Sequence, residues 1–286
     1  MPSVAIRGIT TEYEVHGEAG PALLMFSPGG FNAVRGNWGN LGVYRRLDLI
    51  EQLRQHARCI VFDRRESGGS GGRVERIGWD HYVAQGIGLL DHLGIERAVL
   101  MGGCIGCSVA ARAATSYPDR VAGLVLYSPA GGARYRLGQQ RRFTRHLAYV
   151  EDEGLDGVVV LARSSQATFS SDPRVGPWVS VIRGDDRFAK DYAEQDVDRY
   201  RDLVAGMARL QFDRDSVPGV EPEDLLTSEL PALVVPGDDA SHAPSAAHFL
   251  HECIPGSELW DVPVPEQVAE NAPDRVARFL RERVDP

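Results

Sequence analysis

Two cysteines lie three residues apart in the segment VLMGGCIGCSVAARAA, residues 99–114. Cys104 follows an apolar run, and an alanine-rich stretch that favours a helix comes after it. The local pattern G-x-C-x-G is typical of a sharp strand-to-helix turn that places a nucleophile between small neighbours. A helix N-terminus favours the thiolate, and the N–H of Ile105 is placed to stabilise an oxyanion. Cys104 is therefore predicted to be a nucleophile; a small buried hydrophobic side chain at a tight turn is the alternative.

Cys107 introduces a second chemistry, because C-x-x-C at a helix N-terminus is the spacing of a redox pair. Thioredoxin-like redox sites occur in a smaller βαβ fold, so a buried structural role between helix and sheet is favoured for Cys107. No second Cys/His pair has the spacing of a zinc site. We expect neither a metal nor a cofactor.

Composition narrows the class of protein. The chain has 286 residues, 43% of them hydrophobic, and a formal net charge of −9. This length allows one large core, or a core with an insertion. The acidic balance disfavours nucleic acid and anionic membranes as partners. No apolar run approaches the roughly 18 residues of a membrane span, the first residues lack a signal pattern, and four cysteines make no disulfide framework. A cytoplasmic protein of unassigned oligomeric state is expected.

Short buried-strand patterns alternate with helical patterns along the chain. The strands are predicted at 22–28, 59–65, 98–103, 121–129, 231–236 and 257–262, with an antiparallel edge strand at 10–17. Helices are predicted at 41–57, 79–94 and 106–118, and a last amphipathic helix closes the chain. This alternation indicates an α/β fold with a mainly parallel, doubly wound sheet.

The alternation stops between residues 133 and 227. That block consists of charged, helix-like stretches without a buried-strand pattern. We therefore expect a core formed by 1–132 and 228–286, with a helical cap at 133–227 inserted over one end of the sheet.

Four segments in this order resemble the α/β-hydrolase-fold superfamily, over most of the chain. PALLMFSPGG resembles its first buried strand and oxyanion loop, and VFDRRESGGS its D-x-R-G-x-G-x-S turn with Glu66 in place of glycine. GGCIG resembles the nucleophile elbow with cysteine replacing serine, as in dienelactone hydrolases, and ALVVPGDDASHAP the acid-bearing loop. The resemblance implies an oxyanion hole near Cys104, with Asp239 as the acid.

The chain departs from this family pattern at two places. Ser27-Pro28 stands where the family has His-Gly, and proline has no N–H to donate. The second oxyanion donor is therefore expected from Gly29 or Gly30. The final loop, DVPVPEQVAENAPD, also lacks the histidine that the family carries there.

Another histidine must then supply the base, and the candidates are His242, His248, His251 and His146. His242 is preferred because it shares a loop with Asp239 at the active edge of the sheet. Only two residues separate them, which is short for a direct hydrogen bond, so Asp238 is the alternative partner. His248 and His251 are expected to be packing or surface residues.

The substrate-binding candidates are Asn32 and Arg134. Arg134 belongs to an arginine cluster at the start of the cap, of which one or two members could bind a substrate carboxylate over Cys104; a solvated helix face is the alternative. Asp63 is expected to hold the turn at 64–72 rather than to act in catalysis.

These observations predict a cysteine-dependent enzyme acting on a small acyl compound: an ester, thioester, lactone or activated C–C bond. Cys104 attacks the carbonyl, and Asp239 and His242 assist proton transfer. A non-hydrolytic member of the fold (a lyase, cyclase, transferase or ligand binder) is the first alternative, and a C-x-x-C redox protein is the second.

Overall fold

One eight-stranded sheet runs through the computed structural model of the protein, which describes residues 1–284. The strands are β1 (Ser3–Ile6), β2 (Ile9–His16), β3 (Ala22–Phe26), β4 (Arg58–Phe62), β5 (Ala98–Cys104), β6 (Val121–Pro129), β7 (Ala232–Val235) and β8 (Ser257–Leu259). Their order is β1-β2-β4-β3-β5-β6-β7-β8, and the six strands from β4 to β8 are parallel. This confirms the predicted α/β class and its mainly parallel sheet.

The antiparallel edge differs from the prediction. The alternating segment β2 pairs with β4 on one side and with β1 on the other, so β1 is the outer strand. A tight turn at Arg7 and Gly8, both with positive φ, joins the two. The four residues of β1 are too few to show a period of two, so the sequence pattern did not reveal this strand.

Twelve α-helices accompany the sheet in the described residues. They are α1 (Asn37–Asn40), α2 (Tyr44–Leu47), α3 (Leu49–Leu53), α4 (Trp79–His92), α5 (Gly106–Ser116), α6 (Ala133–Ser164), α7 (Val179–Gly184), α8 (Asp186–Ala193), α9 (Val197–Gln211), α10 (Pro222–Leu226), α11 (Pro244–Cys253) and α12 (Ala272–Phe279). Leu280–Val284 continues α12 as a π-helical turn.

Helices cover both faces of the sheet. One buried cluster holds side chains of α4, α5 and α11, such as Tyr82, Val109 and Leu250. The other holds side chains of α1, α2 and α12, such as Trp38 and Val276. Because both faces are covered, the central strands are apolar runs rather than alternating ones.

The helix predicted at 41–57 is three short helices instead. Gly42 and Asp48 both take the left-handed conformation, with φ of 51° and 48°, and each interrupts the helical path. The helices predicted at 79–94 and 106–118 are confirmed as α4 and α5.

Helices α6 to α10 lie between β6 and β7, and residues 133–226 are called the helical insertion below. Its longest helix, α6, bends at Gly154, where φ is 68°. The insertion is fastened to the loop before α4: the Trp178 indole N–H donates to the Arg73 carbonyl at 2.9 Å, and the Gln211 amide donates to the Ile77 carbonyl at 2.8 Å.

Asp63 holds the turn after β4, as predicted. One carboxylate oxygen accepts the N–H of Arg35 at 2.8 Å and the other accepts that of Gly69 at 2.9 Å. An ion pair with the Arg35 guanidinium, 2.7 Å long, completes the arrangement. The turn in turn supports the loop that faces Cys104, because Ser67 of the turn accepts the Ala33 N–H at 3.2 Å.

Candidate active site

Cys104 occupies a strained turn at the end of β5. Its φ of 56° is in the left-handed region, which is uncommon for a residue with a side chain. A Cβ on Gly102 would clash with the Cys107 backbone, and one on Gly106 with the Phe26 carbonyl. Both glycines of G-x-C-x-G are therefore required by close packing, and the turn lifts Cys104 out of the buried sheet to partial exposure.

The surroundings of the sulfur favour the thiolate. Burial opposes ionisation, yet the pKa of Cys104 lies below its ordinary value, because the charge of His242 and the N–H groups of Ile105 and Gly29 outweigh that cost. Of the backbone donors predicted for an oxyanion hole, Gly29 lies in the wall of the same cavity as Cys104, and Ile105 follows Cys104 directly in the chain. Gly30 also lines the cavity, and its carbonyl accepts a hydrogen bond from Arg64.

The loop that carries Gly29 is held open by Asn37. Its amide donates to the carbonyls of Pro28 and Asn32, both at 2.7 Å. Gly29 has a φ of 125°, and a Cβ there would clash with the Asn37 side chain and the Asn32 carbonyl. The loop therefore keeps Gly29 in the wall of the Cys104 cavity even though proline precedes it.

His242 and Asp239 form a direct pair. The His242 Nδ1 lies 2.9 Å from both carboxylate oxygens of Asp239, which also accepts the N–H groups of Ser241 at 2.7 Å and His242 at 3.0 Å. Asp239, rather than the alternative Asp238, is the partner of His242, because a turn folds the loop back and the two-residue spacing is sufficient. A bond from the Gly131 N–H to the Ser241 carbonyl, 3.0 Å long, ties this loop to the end of β6.

The Nε2 edge of the His242 ring lies opposite the edge that contacts Asp239, and His242 lines the same cavity as Cys104. Its Nε2 is fully buried and makes no hydrogen bond of standard geometry within residues 1–284, and the Cys104 sulfur is the group on which its charge acts. Burial works to lower the pKa of His242, but the Cys104 thiolate and the Asp239 carboxylate raise it to about 9. Each group therefore favours the charged form of the other, the thiolate of Cys104 and the imidazolium of His242.

The remaining histidine candidates lie elsewhere. His146 is fully buried inside the helical insertion, where its Nε2 is 2.7 Å from the Tyr200 hydroxyl, and burial lowers its pKa to about 4. His248 and His251 are exposed on α11. In the final loop, Gln267 is fully buried, accepts the Tyr127 hydroxyl at 2.9 Å and donates to the Pro236 carbonyl at 3.0 Å. Gln267 of this loop is therefore packed into the core.

Cys107 is a structural thiol in this arrangement. It is completely buried, and its sulfur lies 3.1 Å from the Gly102 carbonyl and 3.5 Å from that of Tyr127. Burial raises its pKa well above the ordinary value. All four cysteines are free thiols.

A cavity of about 220 Å³ opens in front of Cys104. Its walls come from the loop after β3, the start of the helical insertion and the loop after β7: Gly29, Gly30, Asn32, Asn37, Leu41, Cys104, Tyr135, Gln139, Arg142, Thr168, Ser170, Ser241 and His242. Asn32 lies in this wall, as expected. Arg134 does not: it is exposed, and Arg142 of the same arginine cluster lines the cavity instead.

Arg142 lies in the cavity wall because it is on the face of α6 that is turned toward Cys104. Tyr135, Gln139 and Arg142 are four and three residues apart, so they lie on one helix face. Arg134 precedes this face by one residue and points to solvent. The sequence predicts that one or two arginines of this cluster face Cys104. Which of them do so depends on where α6 begins and how it packs on the core, and the spacing of the arginines does not give either.

Comparisons with known proteins agree with this architecture. A family model described as alpha/beta hydrolase fold matches residues 23–152. The structure is similar to an enol-lactonase from Burkholderia xenovorans, with a TM-score of 0.64, 21% identity, and coverage of 98% of this chain and 100% of that chain. It is also similar to a variant of the meta-cleavage product hydrolase from Pseudomonas fluorescens, with a TM-score of 0.62, 20% identity, and coverage of 99% and 98%. The protein therefore has the α/β-hydrolase fold.

A short segment of the chain matches curated relatives. Over 60 residues, 21% of this chain, the sequence is 46% identical to homoserine O-acetyltransferase from Thermus thermophilus. The matched segment spans 15% of the length of that relative. No helix among residues 1–284 is long and apolar enough to cross a membrane.

Proposed function

We propose that the protein is a cysteine-dependent enzyme that cleaves a small acyl compound through an acyl-thioester on Cys104. The observation that carries this proposal is the setting of one strained cysteine: Cys104 shares its cavity with Gly29 and with the His242 imidazole, which is paired with Asp239. The His242 charge and the N–H groups of Ile105 and Gly29 all act to lower the pKa of Cys104. A buried structural cysteine needs none of these. The arrangement has the parts of covalent catalysis: a nucleophile, a base, a group that orients the base, and oxyanion donors.

In the first half-reaction the Cys104 thiolate attacks the carbonyl carbon of the substrate and a carbon–sulfur bond forms. The Ile105 and Gly29 N–H groups are placed to hold the negative oxygen of the tetrahedral intermediate. The bond to the leaving group then breaks, and the leaving group takes the Nε2 proton of His242. A thioester on Cys104 and a neutral imidazole remain.

In the second half-reaction neutral His242 accepts a proton from water as the water oxygen attacks the thioester. Collapse releases a carboxylic acid and returns the Cys104 thiolate beside a protonated His242. With Cys104 acylated, the negative charge that helped to raise the pKa of His242 is absent, so the imidazole is free to act as a base in this step.

We further propose that the helical insertion is a cap that closes the cavity and selects the acyl compound. Five of the lining residues, Tyr135, Gln139, Arg142, Thr168 and Ser170, belong to it. Phe143 and Phe169 of the insertion also pack edge-to-face on Phe31 of the oxyanion loop, with ring centroids 5.5 and 5.3 Å apart. A cap in this position couples substrate entry to the loop that carries Gly29.

A second candidate is acyl transfer to an alcohol or thiol acceptor instead of water. The segment shared with homoserine O-acetyltransferase favours it. The chemistry differs only in the nucleophile of the second half-reaction, so the same residues serve both.

The test is a panel of activated esters and thioesters, quenched in acid and examined by intact-mass spectrometry, with peptide mapping of any adduct. The expected result is an acyl adduct on Cys104 that disappears on turnover and is absent from Cys104→Ala. Addition of alcohol and thiol acceptors then separates transfer from hydrolysis by the product formed. A panel that gives turnover without a Cys104 adduct, or turnover in Cys104→Ala, would contradict the covalent mechanism. A reversible Cys104–Cys107 disulfide in place of acylation would favour the redox alternative.

A further inference from the structure

The charge in the Cys104 cavity is opposite in sign to that of the whole protein. The chain carries 40 Asp and Glu residues and a formal net charge of −9. None of the residues that line the cavity is acidic, while Arg142 and His242 are basic. The nearest carboxylate in the site, Asp239, is already engaged by His242 and by two backbone N–H groups. A cavity of this kind attracts an anion in an otherwise acidic molecule.

Arg142 is the cation in this cavity that the reaction does not use. It is partly buried, whereas Arg134, Arg141 and Arg145 of the same helix are exposed. Within residues 1–284 its guanidinium has no ion-pair or hydrogen-bond partner, so its donors are available to a ligand. A guanidinium offers a planar fork of N–H groups that matches the two oxygens of a carboxylate.

A second buried cation lies behind the same wall. Arg64 is 6% exposed, lies 4.1 Å from the centre of the Tyr82 ring, and its Nε makes no hydrogen bond within the described residues. Burial raises the pKa of Tyr135 in the cavity wall, the charge of Cys104 adds to that effect, and the charges of Arg64 and Arg142 oppose it. The phenol of Tyr135 therefore lies within electrostatic reach of the nucleophile and of both arginines.

We infer that the substrate carries a carboxylate, and that Arg142 binds it while Cys104 attacks a separate acyl carbonyl. This inference rests on the proposed function and names its substrate class: a half-ester or half-thioester of a dicarboxylic acid, or an ester whose leaving group bears the carboxylate. Neutral polar groups in the same wall, among them Gln139 and Ser170, can complete the hydrogen bonds of the carboxylate.

The experiment compares matched ester pairs. Mono-4-nitrophenyl esters of succinate, glutarate and adipate are assayed against their methyl-capped neutral counterparts. For the leaving-group side, 4-acetoxybenzoate is assayed against its methyl ester. The quantity of interest is the ratio of kcat/KM for the charged compound to that for the neutral one, because general damage to an enzyme variant cancels in this ratio.

The expected result is a charged-to-neutral ratio of at least about ten in one arm of the experiment, and that arm identifies which end of the substrate carries the carboxylate. Arg142→Gln should reduce the ratio about tenfold. Arg141→Gln, a neighbouring exposed arginine on the same helix, is the matched control and should change it less than about twofold, since exposed charges are screened. Ratios near one in both arms, or an unchanged ratio in Arg142→Gln, would overturn the inference.

A second readout keeps the inference separate from the proposed function. The rate of Cys104 modification is measured by intact mass with 3-maleimidopropionate and with its neutral amide. Arg142→Gln should lower the carboxylate-to-amide rate ratio, and Arg141→Gln should not. His242 is present in both variants, so its charge does not produce the difference. Failure of every ester to acylate Cys104 would contradict the proposed function, while the maleimide ratio would still decide whether Arg142 binds a carboxylate.

Discussion

The Cys104 sulfur and the His242 ring change each other's protonation. Burial alone would keep the thiol neutral and would strip the imidazole of its proton. Brought together, with Asp239 on the far nitrogen of the ring, both groups favour their charged forms. In the proposed mechanism, this pairing favours the ionised form of the Cys104 nucleophile and holds a proton on His242 for the leaving group.

Replacement of Cys104 separates the nucleophile from the rest of the site. Cys104→Ala should abolish turnover while the melting temperature stays within a few degrees, because the partly exposed side chain contributes little to the core. Cys104→Ser should retain less than about 1% of kcat/KM, since a hydroxyl is not ionised by the same surroundings and the imidazolium is no longer stabilised. Steady-state kinetics and thermal unfolding measure both. Substantial turnover by the alanine variant would contradict covalent catalysis by Cys104.

Asp239 and Asp238 provide a matched pair of variants. Asp239→Asn keeps the shape of the side chain but removes the charge that helps to hold the His242 proton, so kcat should fall by about 10- to 100-fold. Asp239 is well exposed, with 63% of its side chain accessible, which limits the effect. Asp238→Asn should leave kcat unchanged within about twofold. The reverse order of the two effects in a kcat assay would show that Asp238 orients the histidine.

The proposed triad rests on three different kinds of sequence signal: Cys104 is predicted from its local turn pattern, and Asp239 from the resemblance of its segment to the acid-bearing loop. His242 was found by elimination, from the missing histidine in the final loop. The choice between Gly29 and Gly30 and the packing of Gln267 were not accessible, because both depend on side chains distant in sequence, such as Asn37 and Tyr127.

At the scale of single elements, the turn between β5 and α5 is tightly packed against neighbouring backbone. Gly106 lies against the Phe26 carbonyl of the neighbouring strand, so the strand spacing itself limits its size. Gly138 in α6 contrasts with it, because nothing lies within 4 Å of the place where its Cβ would be. There is therefore no room for a side chain at Gly106, whereas there is room for one at Gly138.

Alanine substitutions should show this difference in stability. Gly106→Ala is expected to lower the free energy of unfolding by more than about 2 kcal/mol, since the clash is with backbone. Gly138→Ala should leave it unchanged or raise it by up to about 1 kcal/mol, since alanine favours a helix interior. Urea unfolding followed by circular dichroism measures both. Equal effects at the two positions would contradict the close packing of the turn.

Element boundaries set the limit of the sequence prediction. The helices α4 and α5 were predicted nearly to the residue because each has a clear apolar face and a definite end. The segment 41–57 was not, because the left-handed residues Gly42 and Asp48 break it without any proline as a signal. The prediction of Arg134 instead of Arg142 fails for a similar reason. A sequence pattern gives the period of a helix, but tertiary contacts fix the rotation of that helix about its axis.

At the scale of the whole molecule, side-chain contacts join the helical insertion to two loops next to the sheet. Phe31 packs on Phe143 and Phe169, and the Trp178 indole and Gln211 amide bond to the loop before α4. The alternation of strands and helices was enough to predict the fold class, whereas the inserted cap expected from the interruption at 133–227 stays a prediction. What the insertion covers depends on these long-range contacts, which no local pattern records.

Removal of the helical insertion tests its proposed role as a cap. Replacement of residues 133–226 by a short Gly-Ser linker should expose Phe31 and Tyr82, both buried in the intact protein. The expected product is poorly soluble, binds a hydrophobic dye such as ANS, and gives no acyl adduct on Cys104. Size-exclusion chromatography, dye fluorescence and intact mass supply the three readouts. A soluble truncated protein with full activity would show that the insertion is unrelated to the site.

The central claim is that Cys104 and His242 form a thiolate–imidazolium pair, and the pH dependence of Cys104 alkylation by iodoacetamide tests it most directly. Site-resolved mass spectrometry follows the rate in the wild type and in His242→Gln. In the wild type the rate should rise with an apparent pKa below the roughly 8.5 of a free cysteine, and kcat/KM for an ester should fall again above about pH 9 as His242 loses its proton. His242→Gln should slow alkylation at pH 7 by at least about tenfold, because burial then outweighs the backbone donors. An apparent pKa at or above 8.5 in the wild type, or the same profile in both proteins, would contradict the pair.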